Sequence, residues 1–544
     1  MHLLTFINKL EQKKYLFLLI LFAATLLCRL PTLFNDFYDV DELAAIVQTH
    51  EYMAGDVPGK DFTESKLPLY HAIFKAAYFL MPQNGWVLVH VFTVFIIFLT
   101  AIFIYSTGDK INGFKTGALA SLLYAVLISS FNRHFMATNG EIVYNLPVSA
   151  GFYFFILFLD EQYKTGKRFI FLCLSTVMGV CAAYVKFHGL IFFIFMAFML
   201  IIYVPYYKKK FTLKYFSALL SVIAALISLS VLDYFVTHIF AQRLLTDAAG
   251  KLTYSSVQGF SPLVFSAKYI HRQLMLSLWH FAVWISAFVF LFLFIKNKFR
   301  NESLLVSASA VLFIITYLLI FAGGSRLYFH YFISVYPALC ITGAYSLNEV
   351  NFPAIKKIKD KITILILIPT VFFIAWNTKD ILIKHYFQQA FYNEGRTMYW
   401  MRAALIGTFN DYLLPEASYK DACAYIRTIT KPGDRIFVWG DGPYLYYFSG
   451  RRMGINHLWP KTTIFVISSL YDKADNDSIK NAEAMENDFI NNMRLKKPVL
   501  FADTSGNGLS TFHYKPTPKI EKYIKDNYYF TDEIQKIKIY KIKE

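Results

Sequence analysis

Charge is scarce in this sequence: Asp, Glu, Lys and Arg make up 17% of 544 residues. A water-soluble chain of that length would divide into about three or four domains. The 56% of residues that are hydrophobic exceed what ordinary soluble cores can hide, whereas a bilayer accepts apolar surface without penalty. Cysteine is also scarce. Of the five, Cys28, Cys173, Cys181 and Cys340 lie in apolar runs and Cys423 stands alone in polar sequence, which excludes a disulfide framework and a cysteine-based zinc site. A cleavable leader is not expected either. The run Tyr15–Leu30 exceeds a usual h-region and leads through Arg29-Leu30-Pro31 rather than a small-residue cleavage site, so it reads as an uncleaved first span. No strict repeat and no low-complexity tract occurs.

In place of charge there are aromatics, 55 Phe and 38 Tyr among them. Apolar runs recur about eleven times, from Tyr15–Leu33 through Val143–Leu159 to Ile362–Trp376, several near the ~20 residues that cross ~30 Å of hydrocarbon. The expected fold is a polytopic α-helical membrane protein with about eleven transmembrane helices. The net charge of +17 fits either nucleic-acid binding or basic cytoplasmic loops, and its distribution decides. Lys9, Lys13 and Lys14, then Lys110 and Lys115, then Lys164, Lys167 and Arg168 fall in every second loop. The same alternation continues through Lys208 to Lys214, Lys296 to Arg300 and Lys356 to Lys361. No continuous basic stripe forms, so no nucleic-acid partner is expected. The positive-inside rule puts the N-terminus in the cytoplasm and, with an odd span count, residues 377–544 outside an inner or plasma membrane.

The chain is accordingly divided into a multispanning domain (1–376) with a first external loop (35–85), a connecting segment (377–414) and a soluble extracytoplasmic domain (415–544). In that last part, helical spacing over Glu416–Thr430, Tyr444–Ser449 and Lys519–Asn527 alternates with strand signals at Arg435–Trp439 and Lys497–Ala502. That pattern predicts a small α/β domain with a partly parallel sheet. Leu67–Met81, apolar but short, is expected to lie at the membrane interface.

The chemistry concentrates in the first external loop. Asp36-Phe37-Tyr38-Asp39-Val40-Asp41-Glu42 packs four carboxylates into seven residues directly after a span, where charge is costly. The bland reading is a solvated loop capping the helix that starts near Leu43; the functional one is a general base. Further on, Lys66 stands beside Pro68 and Tyr70, a cation suited to a lipid phosphate, although a snorkelling interfacial lysine is common.

The ordered set Arg29-Leu30-Pro31, Asp41-Glu42, Gly55, Asp61-Phe62 and Lys66-Leu67-Pro68-Leu69-Tyr70 resembles the bacterial relatives of the dolichyl-phosphate-mannose protein mannosyltransferases. Those relatives include the aminoarabinose transferases, all in the GT-C class of multispanning glycosyltransferases. Leu67 departs from the family's usual Lys-Pro-Pro-Leu-Tyr stretch. Asn139-Gly140-Glu141, Lys186-Phe187-His188-Gly189, Arg326 to Phe332 with Pro337, and Pro432 to Gly440 with Tyr446 to Arg451 continue the likeness in order along the chain. No single motif is specific; the ordered set carries the resemblance.

The resemblance implies a polyprenyl-phosphate-linked sugar as donor, an extracytoplasmic acceptor hydroxyl and an inverting displacement. In it Asp41 is the base, with Glu42 as understudy or acceptor positioner. Lys66 and Arg326 stabilise the donor phosphate, with Lys186 and His330 as weaker candidates. Glu141, Asp39 and Tyr70 are acceptor-side or secondary residues. Each has a bland alternative: Glu141 pairing with Arg133, Lys186 as an interfacial anchor, His330 as a structural histidine. Asp39-Val40-Asp41 has the Asp-x-Asp spacing with which distant oligosaccharyltransferases hold Mn²⁺ or Mg²⁺, but nearer relatives work without a metal, and no catalytic metal is expected. The C-terminal domain, lacking clustered carboxylates and cations, is expected to hold the acceptor. Competing readings are a transporter or flippase for a lipid-linked sugar, which would place charge near the midplane and show repeats, and an O-antigen ligase or polymerase, which has its large external loop late.

Overall fold

The structure is a computed structural model. It describes residues 13–34, 36–58, 61–62, 66–129, 133–205, 278–296, 303–322, 329–349, 415–440, 443–456, 458, 467–468, 470–472, 475–505 and 516–543. The chain forms two compact units, one built from 1–38 with 66–390, the other from 39–65 with 391–544.

The first unit is helical: α1 (Lys14–Arg29), α3 (Pro68–Leu80), α4 (Gly85–Leu127), α5 (Gly140–Leu159), α6 (Thr165–Val185), α7 (Leu190–Phe198), α8 (Leu278–Lys296), α9 (Leu304–Ala322), α10 (Phe329–Ile333) and α11 (Tyr336–Glu349). Helix α2 (Val40–Met53) belongs to the second unit. Among the described residues, α4, α5 and α6 are long and apolar enough to cross a membrane. The apolar runs at 215–240 and 362–376 lie outside the described residues. In α1 the buried residues Phe17, Leu21, Thr25 and Arg29 recur every fourth position, one stripe of a helix. That stripe meets α4, where Phe17 contacts the Tyr105 ring at 5.0 Å between centroids. The opposite face exposes Leu19 and Leu27 by about 60% (61% and 62%), an outer surface suited to lipid and not to water.

Helix α4 carries two of the apolar runs read from sequence. It bends at Asn112–Gly113, where Gly113 has φ +78°. The arms cross on glycine: a Cβ at Gly117 would sit 2.4 Å from the Tyr105 carbonyl oxygen. Helix α5 is buried along nearly its whole length. Small residues let α6 and α7 close on it, and the Ser175 hydroxyl donates to the Gly151 carbonyl at 2.8 Å, a polar contact of the kind that joins helices in lipid.

Among the described residues, one end of this unit gathers a set of charges. Lys14 pairs with Asp109 at 2.9 Å, Lys110 with Asp160, and Lys167 lies 5.0 Å from the Tyr163 ring. Residues 14, 109–110 and 160–167, read as three loops on one side, therefore meet. Glu141 is the second residue of α5 and Asp160 follows its last residue, which separates them by about 28 Å at 1.5 Å per residue.

The second unit holds α12 (Pro415–Ile429), β1 (Arg435–Trp439), α13 (Pro443–Ser449), β2 (Arg452–Met453), α14 (Asn476–Lys496), β3 (Leu500–Asp503), α15 (Pro518–Asn527), β4 (Tyr528–Ile534) and β5 (Ile537–Ile542). The five-stranded sheet runs β2-β1-β3-β5-β4. Strands β2, β1 and β3 are mutually parallel, and β5 and β4 close the sheet antiparallel. Period-two alternation sends Ile436 and Val438 to one core and Phe437 and Trp439 to the other, so β1 is buried on both faces and reads as an unbroken apolar run. One core is shared with α12 and α13, the other with α14 and α15. Ala44 and Val47 of α2, with Phe62, complete the first core. A segment read from sequence as part of the first external loop thus packs into the C-terminal unit.

Candidate active site

In the first unit the site is built on the turn 133–140. Two side chains from other helices fix its backbone and a third meets one of its side chains. Arg29, fully buried at the end of α1, donates to the carbonyls of Phe135 at 2.7 Å and Met136 at 2.6 Å. The Tyr70 hydroxyl donates to the Thr138 carbonyl at 2.8 Å, and the hydroxyls of Thr93 and Thr138 lie 2.8 Å apart. Asn139 ties back to the His134 carbonyl at 2.6 Å. This anchoring delivers Glu141 to the first turn of α5, where a carboxylate is favoured by the helix dipole.

Glu141 is buried, its side chain only 3% exposed. Its Oε1 accepts from Lys186 Nζ and lies 3.9 Å from His330 Nε2. Lys186 follows the last residue of α6, and His330 lies in α10. The Lys186 ammonium also sits 5.3 Å from the Tyr331 ring centre, and His330 packs against the His134 ring at 5.6 Å. Lys66 lies within electrostatic reach of Glu141. A buried carboxylate persists only when its desolvation is offset by partners. Here those partners are the Lys186 ammonium and, farther off, His330 and Lys66.

In the second unit, Asp39 caps α2: its Oδ1 accepts the backbone N–H of Asp41 at 3.0 Å and of Glu42 at 2.9 Å, which is the capping role foreseen for the acidic loop. Asp41 is half-buried and Glu42 is buried in the first turn of the same helix. Among the described residues, no group of three or more His, Cys, Asp or Glu side chains could hold a metal ion.

No protein-family model and no curated protein sequence matches the chain. Solved structures do. ArnT from Cupriavidus metallidurans in the apo state superposes with a TM-score of 0.57 at 12% identity, covering 96% of this chain and 97% of that one. The same protein bound to undecaprenyl phosphate gives 0.54 at 12% identity, with 97% and 98% covered. The Archaeoglobus fulgidus oligosaccharyltransferase in complex with Zn and sulfate gives 0.50 at 11%, with 95% of this chain and 72% of that chain covered. The chain has the GT-C glycosyltransferase fold.

Within this GT-C fold, Lys66, Glu141, Lys186 and His330 come together in the first unit, and Tyr70 supports the turn that carries Glu141. Asp39, Asp41 and Glu42 share one helix start in the second unit. Arg326 and the Arg133 side chain lie outside the described residues. Arg29 stands in a sequence motif with no role assigned to it; a lone arginine at the end of an apolar run, two residues before Pro31, is the signal that marks it. His134 and Tyr331 carry no such signal, because nothing local separates a site aromatic from the many others.

Proposed function

We propose that this chain is an integral-membrane glycosyltransferase that moves one sugar from a polyprenyl-phosphate donor to an acceptor hydroxyl on the outer side of the membrane. The observation that carries the reading is the buried Glu141–Lys186–His330 cluster with Lys66 in reach, in a chain with the GT-C fold. ArnT, which has that fold, was crystallised with undecaprenyl phosphate, a ligand of the proposed donor class.

The acceptor oxygen attacks the anomeric carbon, the bond from that carbon to the phosphate oxygen breaks, and polyprenyl phosphate leaves with the electron pair. The acceptor proton passes to Asp41, with Glu42 positioning the acceptor. A single in-line displacement inverts the anomeric centre. Lys66, Arg326 and Lys186 carry the growing phosphate charge, Arg326 with the bidentate geometry that guanidinium offers. Glu141 holds the Lys186 ammonium in place, and His330 Nε2 stands 3.9 Å from the same carboxylate. Phosphate needs no strong acid to leave. The alternating basic loops set the N-terminus in the cytoplasm and the C-terminal unit outside.

The test uses purified protein in detergent with a labelled polyprenyl-phosphate sugar and a crude acceptor extract. Release of free polyprenyl phosphate is the expected outcome. A transporter would move the donor uncleaved, so persistent absence of free polyprenyl phosphate overturns the proposal.

A further inference from the structure

The start of β1 and the start of β2 pose an electrostatic problem that α2 solves. Arg435 and Arg452 are direct register partners on adjacent parallel strands, and like charges so placed repel. Glu51, near the C-terminal end of α2, and Asp56, just beyond it, neutralise both. Glu51 Oε2 lies 3.5 Å from Arg435 Nη1 and 3.3 Å from Arg452 Nη2. Arg435 Nη2 donates to both oxygens of Asp56, at 2.8 and 3.0 Å, and Arg452 Nη2 pairs with the same carboxylate. The Glu51 side chain is only 3% exposed.

A second observation is independent of charge. Arg452 and Gly454 send their N–H groups to the carbonyls of Asp434 and Ile436, at 3.0 and 2.7 Å. The intervening N–H of Met453 points away from β1, and Glu51 Oε1 accepts it at 2.6 Å. Helix α2 thus covers the open edge of the sheet where another strand would otherwise pair. Lys496, at the end of α14, reaches the Asp61 carbonyl, and His50 stacks on Tyr447 with rings 14° from parallel.

We infer that Glu51, Asp56, Arg435 and Arg452 are positioning residues for transfer: the C-terminal unit holds the helix that bears Asp41 and Glu42 and so sets where the base stands. This rests on the glycosyltransferase reading above. The leverage is geometric. Glu51 lies ten residues beyond Asp41, about 15 Å along the helix axis. A tilt of about 10° at the clip would carry Asp41 some 2.6 Å at that rise per residue, and a misplacement of ~1 Å can already cost ~10²-fold in rate.

The full-length protein is assayed as Arg452→Ala, Glu51→Ala, the double variant and Arg452→Lys, with kcat and donor KM measured separately. Hydrogen exchange is followed in wild type and in each variant. Residues 40–53 in wild type should be protected to the same degree as β1. Each alanine variant should lose about 10–100-fold in kcat, the range such a misplacement allows, with donor KM unchanged, and the double variant should be no worse than the poorer single. Arg452→Lys should recover part of the loss. Exchange should rise over 40–53 and β2 while β3 and β5 stay protected. The inference is overturned if kcat is unchanged in folded alanine variants, if donor KM rises alone, or if wild-type residues 40–53 exchange independently of β1. The wild-type exchange result needs no variant to fold. Wild-type protein that never transfers would sink the reading of function instead, leaving the exchange data to decide whether α2 is part of the C-terminal unit.

Discussion

Asp41 and Glu141 are both carboxylates at the first turn of a helix, yet their surroundings differ. Asp41 is half-buried beside the cap that Asp39 provides, whereas Glu141 is buried against Lys186 and His330. A base must be able to accept a proton, and a carboxylate locked to a lysine is better suited to holding that lysine. Asp41→Asn keeps the size and removes the basicity; transfer should fall by ~10²–10⁴-fold, the usual worth of a general base, with donor binding retained. Near-normal turnover of that variant would move the role to Glu42. Lys66→Ala should slow release of polyprenyl phosphate by one to two orders of magnitude, from loss of a charge-assisted contact worth ~1.5–3 kcal/mol. An unchanged rate would remove Lys66 from the phosphate site. In the C-terminal unit, burial pushes the Cys423 thiol up to about 12. The reactive form is the thiolate, so a variant retaining Cys423 alone should resist alkylation at pH 8 and label only on denaturation. Rapid labelling of the native protein would contradict the packing of α12 on α13.

At the scale of elements, legibility followed the range of the interactions. The apolar runs are local signals, and those at Trp86–Ser106, Gly117–Phe131, Val143–Leu159 and Phe169–Val185 fall on α4, α5 and α6. Strands β1 and β3 were readable because both faces are buried, as were α12, α13 and α15 from their spacing. The β4–β5 hairpin was not, since Gln535 and Lys536, both at positive φ, replace the Asn-Gly pair that announces such a turn. Helix α14 hid behind its polarity: few of its residues, Phe489, Ile490 and Met493 among them, face the core. The site divides in the same way. Asp41-Glu42 and Lys66 stand out within a short loop, but the pairing of Glu141 with Lys186 depends on α5 and α6 meeting. The clip of Glu51 on Arg435 joins positions 384 residues apart, and nothing local in either segment announces the other. The α2 segment was placed in the membrane domain for that reason: its capping signal gives the helix start, not its partner.

For the molecule as a whole, one end of the first unit gathers Lys14, Lys110 and Lys167, and the far end of α5 gathers Glu141, Lys186 and His330. A reporter fused after Lys210 should be active only in the cytoplasm, and one after Glu544 only outside; cytoplasmic activity at Glu544 would mean an even span count and would undo the proposed sidedness. The second unit is discontinuous in sequence, residues 39–65 being closed by residues that come after 390. Synthesis runs in one direction at about 5–20 residues per second. Helix α2 therefore leaves the ribosome roughly 20–75 s before the strand that carries Arg435 exists, at those same rates. Throughout that interval the faces of Ala44 and Val47, and the Glu51 carboxylate, are without the sheet they are shaped for. The acidic loop that begins the chemistry is among the first parts made and among the last to be fastened, so a ribosome that stops before β1 leaves behind a membrane domain whose proposed base has nothing to hold it.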